Sequence, residues 1–297
     1  MTLRQMEYLI AVADTGSFSR AAQALNVSQP GLSQQVRQLE REVGAVLIER
    51  LPRMALLTPA GRAYLPEARR AVAAATQARR AARATAEGVA GDLEIATVLS
   101  VAAGVLPRSI ARFHRRHANV VIRLSEYRHN TTLQKEFLHG TADLAVGPEP
   151  EDWDGPAVDL GTEEFVIVLP RSDPMAADHG VIDVADLADR DWVLFERHNG
   201  LSEITEQVCR AAGFSPRGVL HTTQVSAGVR LAAAGLGPMM VPDNVVPTDL
   251  DAAVMRMKQP FHRRLSVYGR SEFSPLAQAY IRVLCNTPAR LVQAPAA

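Results

Sequence analysis

The chain has 297 residues, 47% hydrophobic and 22% charged, which supplies ordinary globular cores and argues against disorder along its whole length. Its two cysteines, Cys209 and Cys285, are too few for a disulfide scaffold and lack zinc-ligand spacing. No run approaches the roughly 18 apolar residues of a membrane span, and an acid interrupts the N-terminal MTLRQMEYLIAVADTG, so neither a membrane partner nor a secretory leader is expected and a cytoplasmic location is.

The formal net charge is zero, but it is unevenly spread. Residues 1–60 carry six Arg and five acids, residues 61–90 six Arg and two acids, and residues 91–297 20 basic and 25 acidic groups. The basic first third is compatible with a polyanion partner without establishing one.

Leu3, Met6, Leu9, Ile10 and Ala13 recur at helical spacing until DTG stops the helix. Ser17 is placed to cap a short second helix with Ala21, Ala22 and Leu25 inward. Asn26-Val27 reads as a tight turn and Ser28 as the cap of a third helix. That cap puts Pro30 and Gly31 in the first turn, where amides have no intrahelical acceptor, so neither breaks the helix. On the third helix Leu32, Val36, Leu39 and Val43 share one face. Gln34, Arg37 and Arg41 lie opposite, flanked by Ser33 and Gln38. Long amide and guanidinium groups read base edges and bind phosphates, and they also suit a solvated helix face. A short helix and tight turn before them match helix-turn-helix geometry, which lays the second helix in the major groove. Gly31, lacking a side chain, would let the helix start approach a phosphate.

Residues 46–58 read as two short strands around Leu51-Pro52-Arg53, a wing whose Arg53 can reach a nucleic-acid backbone. Thr58-Pro59 then opens an Ala- and Arg-rich helix to about residue 88, with Leu65, Ala68, Val72 and Ala75 as a self-pairing seam and Pro66 expected to bend the helix or delay its start. Beyond Gly91 strand-like runs at 93–98, 120–127, 143–147, 165–170, 191–195, 219–223 and 237–242 alternate with helical ones near 103–117, 131–139, 201–212 and 225–234. That alternation implies an α/β architecture with parallel sheet, in two lobes with a cleft between them.

SFSRAAQALNVSQPGLSQQVRQLEREVGAVLIER, followed by LTPAG at 57–61, resembles the LysR-type transcriptional regulators, densely over residues 1–65 and by architecture and patches such as AAGLGPMMVP (233–242) beyond them. Ile48 departs from the aromatic usual in the family, a packing variation. The resemblance implies an all-α winged helix-turn-helix (1–60), a long linker helix for dimerisation (61–88), and an effector-binding domain (91–297) resembling periplasmic type 2 solute-binding proteins. Lobe I would comprise 91–161 and 266–297, and lobe II 162–265. It also implies a homodimer or homotetramer on an imperfect inverted repeat of double-stranded DNA, contact with RNA polymerase, and a bend that a small-molecule effector alters. Carried over residue by residue, DNA contacts fall to Ser28, Gln29, Pro30, Gly31, Ser33, Gln34, Arg37, Arg41 and Arg53. The effector would meet Ser100, Val101, His129, Asn130, Arg197, His198, Asn199, Val225 and Ser226. Hydroxyls at helix starts with Arg and His suit an organic anion such as a carboxylate, and equally suit plain capping and surface roles.

The peroxide-sensing branch of the family uses a cysteine pair in the second lobe. Here Cys209 lies near the later position, but Gly200 stands nine residues before it, which argues against that switch. No P-loop, GxSxG, HExxH or Rossmann fingerprint is present, so neither an enzyme, a cofactor nor a metal is expected.

Overall fold

The computed structural model describes residues 1–51, 54–87, 91–140, 142–177 and 180–291. The chain divides into two compact units, Met1–Arg83 with the short segment Glu136–Thr141, and the remainder.

In the first unit α1 (Leu3–Thr15), α2 (Phe18–Ala24) and α3 (Gln29–Val43) pack around Leu9, Val12, Ala21, Leu32, Val36 and Leu39, all buried. The buried stripe of α1 is Gln5, Tyr8, Leu9 and Val12, turned from the expected one, and Leu3 and Leu25 are exposed. Ser17 caps α2, accepting from the Arg20 amide. The two-stranded wing pairs β1 (Ile48–Arg50) with β2 (Ala55–Leu57), antiparallel. The expected contact Arg53 lies outside the described residues.

Helix α4 (Pro59–Glu87) runs through Pro66 without delay, so the proline removes one helical hydrogen bond and leaves the element continuous. Thr58 opens it, with Oγ1 accepting from the Gly61 amide at 3.0 Å and donating to the Val46 carbonyl at 2.6 Å. A Cβ on Gly61 would overlap the carbonyl oxygen of Leu47, so the glycine of LTPAG lets the helix start lie against the chain entering the wing.

The second unit holds β3 (Gly91–Val98), α5 (Leu99–Gly104), α6 (Leu106–Arg116), β4 (Val120–Tyr127), the start of α7 (Asn130–His139) and β5 (Leu144–Gly147), then β6 (Ala157–Leu169), β7 (Val181–Ile182), β8 (Asp191–Phe195), α8 (Gly200–Ala211), β9 (Arg217–Thr222), α9 (Val225–Ala233), β10 (Met239–Pro242), β11 (Ala253–Met257), β12 (His262–Tyr268) and α10 (Pro275–Cys285). The expected single helix near 103–117 is two, parted at Val105 just before the prolyl turn of α6.

The sheet is not wholly parallel, as the alternation of strands and helices implied. Strands β4, β3 and β5 are parallel neighbours, but β12 and β6 join antiparallel, and β10 and β11 flank the far half of β6 antiparallel as well. The 13-residue strand β6 thus continues from its pairing with β12 to its pairing with β10 and β11. The β6–β12 pairing shifts register between Leu265 and Ser266, opposite Gly161 at φ +102°. Phe165–Leu169, Trp192, Phe195, Val229, Met239–Val241 and Met255 form the second-lobe core. On the first lobe Phe113 of α6 meets Tyr280 of α10 edge to face, and the Tyr280 hydroxyl lies 3.0 Å from Ser109.

Candidate functional sites

The helix-turn-helix is built by its capping. Asn26 takes a left-handed conformation (φ +53°) in the turn, Ser28 caps α3, and its Oγ accepts from the Gly31 amide at 3.3 Å. A Cβ at position 31 would sit 2.9 Å from that Oγ, so Gly31 keeps room for the cap itself. Ser28, Gln29 and Pro30 are exposed at the helix start, and Gln34, Arg37 and Arg41 along its outer stripe. Ser33 departs from the expectation: at 8% exposure its side chain turns toward the core rather than flanking that stripe. Arg41 is bonded to Gln38, whereas Arg37 has no intramolecular partner among the described residues.

Glu40, on the inner side of α3, joins helix to wing. Its Oε1 accepts from the amides of Leu47 and Ile48 at 3.0 and 3.1 Å, and its Oε2 pairs with Arg50 at 3.1 Å. Helix α3 and the wing are therefore fixed to each other by one buried carboxylate.

In the second unit a cavity of about 200 Å³ lies at the starts of α5, α7 and α8, lined by Ser100, Arg128, His129, Asn130, Asn199 and Arg263 among others. Glu163 beneath it has no exposure. Its Oε1 accepts from Arg263 Nε at 2.6 Å, and its Oε2 from Asn244 Nδ2 at 2.8 Å. Arg263 also donates to Ser100 Oγ at 3.0 Å, and its guanidinium stands over the Phe165 ring. On the other side the Gly200 amide at the start of α8 donates to the Arg128 carbonyl at 2.9 Å. The Thr131 amide donates to His129 Nδ1 at 3.2 Å, which places the proton of a neutral imidazole on Nε2, 3.0 Å from Glu203 Oε2.

Of the expected effector residues, Ser100, His129, Asn130 and Asn199 come together here. Five do not line the cavity. Val101 is buried beneath α5 and Val225 within the second-lobe core, while His198 and Ser226 are exposed elsewhere. Arg197 instead borders a separate depression with Glu206, Arg210 and His221. Each strand-to-helix turn was legible in the sequence, but a shift of one residue decides which side chain enters the cleft. Among the described residues no group of three or more His, Cys, Asp or Glu side chains could hold a metal ion, and no helix is long and apolar enough to cross a membrane.

Comparison with known proteins agrees with this two-unit plan. The bacterial regulatory helix-turn-helix protein, lysR family, matches residues 3–62, and the LysR substrate binding domain matches residues 86–287. The chain belongs to the LysR family. Its relatives include the regulator AlsR of Bacillus subtilis, 30% identical over 289 residues and 95% of each chain. BudR of Raoultella terrigena is 32% identical over 82% of this chain and 86% of its own. Among solved structures, a full-length cysteine variant of OxyR from Pseudomonas aeruginosa has a TM-score of 0.72 at 25% identity, covering 98% of each chain. The LysR family regulator CbnR complexed with its target DNA has a TM-score of 0.67 at 25% identity, covering 96% of this chain and 99% of its own. This LysR-type protein is a DNA-binding transcriptional regulator that responds to a small-molecule effector.

Within that family frame, the residues the sequence did not single out are Glu40, Glu163, Asn244, Arg128, Glu203 and Arg263. Glu163 and Arg263 lie on strand segments whose polar composition hid them. Their signal was alternation: Glu163 and Arg263 face in, while Glu164, His262 and Arg264 are more exposed.

Proposed function

We propose that this LysR-type regulator binds a small organic acid in the cleft beside Ser100, His129, Asn130 and Asn199, and that occupancy alters how its lobes hold the DNA-binding units on a promoter. Residues Ser28, Gln29, Pro30, Gln34, Arg37 and Arg41 face the DNA. Helix α4 pairs two chains, further lobe contacts make a tetramer, and the paired helices read an imperfect inverted repeat. The protein works in the cytoplasm, bends its DNA and presents it to RNA polymerase, without catalysis.

The observation that carries the ligand reading is the convergence of the α7 and α8 starts, Ser100 and Arg128 on one cavity, because helix starts and free hydrogen-bond donors favour an anion. The irregular pairing at Gly161 and Leu265–Ser266 supports those residues as the hinge, and supports lobes of 91–161 with 266–297 and of 162–265. The ligand acts only through different affinities for two lobe arrangements. The test is thermal unfolding of the full chain across a panel of small organic acids. At least one should raise the melting temperature in a saturable way, and Ser100→Ala should remove the effect. If no acid in the panel stabilises the protein, the organic-acid reading fails.

A second reading, a thiol switch, is favoured only by kinship: a probable hydrogen peroxide-inducible genes activator of Mycobacterium avium is 30% identical over 262 residues. The burial of Cys209 in the second-lobe core weighs against it.

A further inference from the structure

Two buried polar atoms at the cleft meet no partner among the described residues: Nδ2 of Asn199, a donor, and Oδ1 of Asn130, an acceptor. Asn199 is 3% exposed, and its own Oδ1 accepts from the Leu201 amide at 3.0 Å. Turning that amide over would break the cap of α8, so Asn199 offers the cleft a donor. Buried polar atoms are paired in native proteins, so with the Asn130 carboxamide oriented as it stands, this site is complementary to a ligand with both an acceptor and a donor.

The cations divide between structure and binding. Arg263 is held by Glu163 and by Ser100, so its charge is spent before a ligand arrives. Its bond has a consequence for Ser100: because Oγ accepts from Arg263, the hydroxyl proton points to another acceptor. Arg128 has no ion pair among the described residues and is the cation left for a ligand. Glu203 stands on the far side, engaged by His129, and would repel a second negative charge. The cavity, about 200 Å³, is smaller than the roughly 300–1,000 Å³ that larger ligands occupy.

We propose that the effector is a small hydroxy acid with one carboxylate. Its carboxylate accepts from Ser100 Oγ and Asn199 Nδ2 beside the Arg128 guanidinium, and its hydroxyl donates to Asn130 Oδ1. This rests on the reading of the cleft as an organic-acid site and adds the hydroxyl and the single charge. Arg263 and Glu163 are positioning residues, which set the direction of the Ser100 proton.

The experiment is calorimetric titration of the full-length protein with matched acids: lactate against propionate, and 3-hydroxybutyrate against butyrate. At least one hydroxy acid should bind about tenfold tighter than its parent, the gain expected of one added hydrogen bond. Asn130→Ala should abolish the preference, so that the hydroxy acid and its parent bind that variant equally, while Ser100→Ala should weaken both. Equal binding within each pair, still lost in Ser100→Ala, overturns the hydroxyl assignment and leaves the acid cleft standing. A hydroxyl preference that survives Asn130→Ala overturns the role of Asn130. Binding of none of the four acids overturns both readings. The wild-type comparison decides the central point even if a variant fails to fold.

Discussion

Glu163 and Arg263 form an ion pair across neighbouring strands, the carboxylate fully buried and the guanidinium nearly so, with Nε to Oε1 at 2.6 Å. Removing one member of such a pair leaves the other charge without compensation, which costs about 3–5 kcal/mol. Glu163→Gln should therefore destabilise the second unit by about 3 kcal/mol in urea unfolding. The double variant Glu163→Leu, Arg263→Met should recover most of that loss. A Glu163→Gln protein of wild-type stability would mean that the charge is not held as described.

Gly61 is a second position where one atom decides packing. Alanine elsewhere in a helix gains about 1 kcal/mol over glycine. Here its Cβ would overlap the Leu47 carbonyl, and overpacking costs about 1–3 kcal/mol. Gly61→Ala should lower the stability of the DNA-binding unit, measured by hydrogen exchange of the α3 amides, despite the better helix propensity. An unchanged or slower exchange would show that the helix start moves away freely.

The helix-turn-helix was legible because it is local: Ser28, Pro30 and Gly31 set the start of α3, and the apolar stripe sets its inner face. The sheet was less so. Nothing local marks residues 157–164 and 262–268 as strands, since AVDLGTEE and HRRLSVY lack a continuous apolar run. They are strands because each pairs with the other across about 100 residues of sequence, a contact no local pattern encodes. The cleft followed the same division. Ser100, Asn130 and Asn199 sit at strand-to-helix turns that the pattern locates, whereas Arg263 reaches the site from a strand that only long-range pairing creates. Glu40 was hidden for a different reason: it sits in a charged helical stretch and shows its role only when Leu47 and Ile48 fold back on it.

The cysteines give a direct test of the thiol alternative. Cys209 has no exposure, and burial pushes its thiol up to about 12. Thiols react as thiolates, so Cys209 should be inert in the native state at pH 8. Exposed Cys285 is also raised by burial of its surroundings, but remains accessible. Ellman titration should count one slow-reacting thiol in native protein and two after unfolding, and peroxide should leave the pair unlinked. Rapid loss of both thiols into an intramolecular disulfide would restore the redox reading.

Asp173 links stability to pH. The Arg190 guanidinium at 2.6 Å, helped by the Met175 amide at 3.1 Å, holds its carboxyl below the usual carboxylate range despite burial. A carboxyl depressed in the folded state contributes its full stability above the unfolded value, about 3.9, and loses it as pH falls through the lower folded value. Asp173→Asn should thus cost about 2 kcal/mol at pH 7. The difference from wild type should shrink only below about pH 4. A difference that disappeared already near pH 6 would assign the effect to another group.

On α3, Arg37 is exposed and uncommitted, whereas Arg41 is bonded to Gln38 and Arg50 to Glu40. If Arg37 reads a base, Arg37→Ala should weaken binding by about 1–3 kcal/mol and relax preference at one base pair. If it meets phosphate, binding should fall evenly across sequences, and the slope of log K against log salt should lessen by about 1. In the helix-turn-helix docking proposed above, Arg37 stands mid-helix on the groove-facing stripe, beyond the capped turn where amides can meet phosphate, and that placement favours the base. The measurement is fluorescence anisotropy on the intergenic region beside this gene, at several salt concentrations, with Arg37→Lys alongside. Lysine keeps the charge but not the two-pronged geometry, so it should restore phosphate contact and fail to restore base preference. Unchanged affinity in Arg37→Ala at every salt would remove Arg37 from the DNA surface.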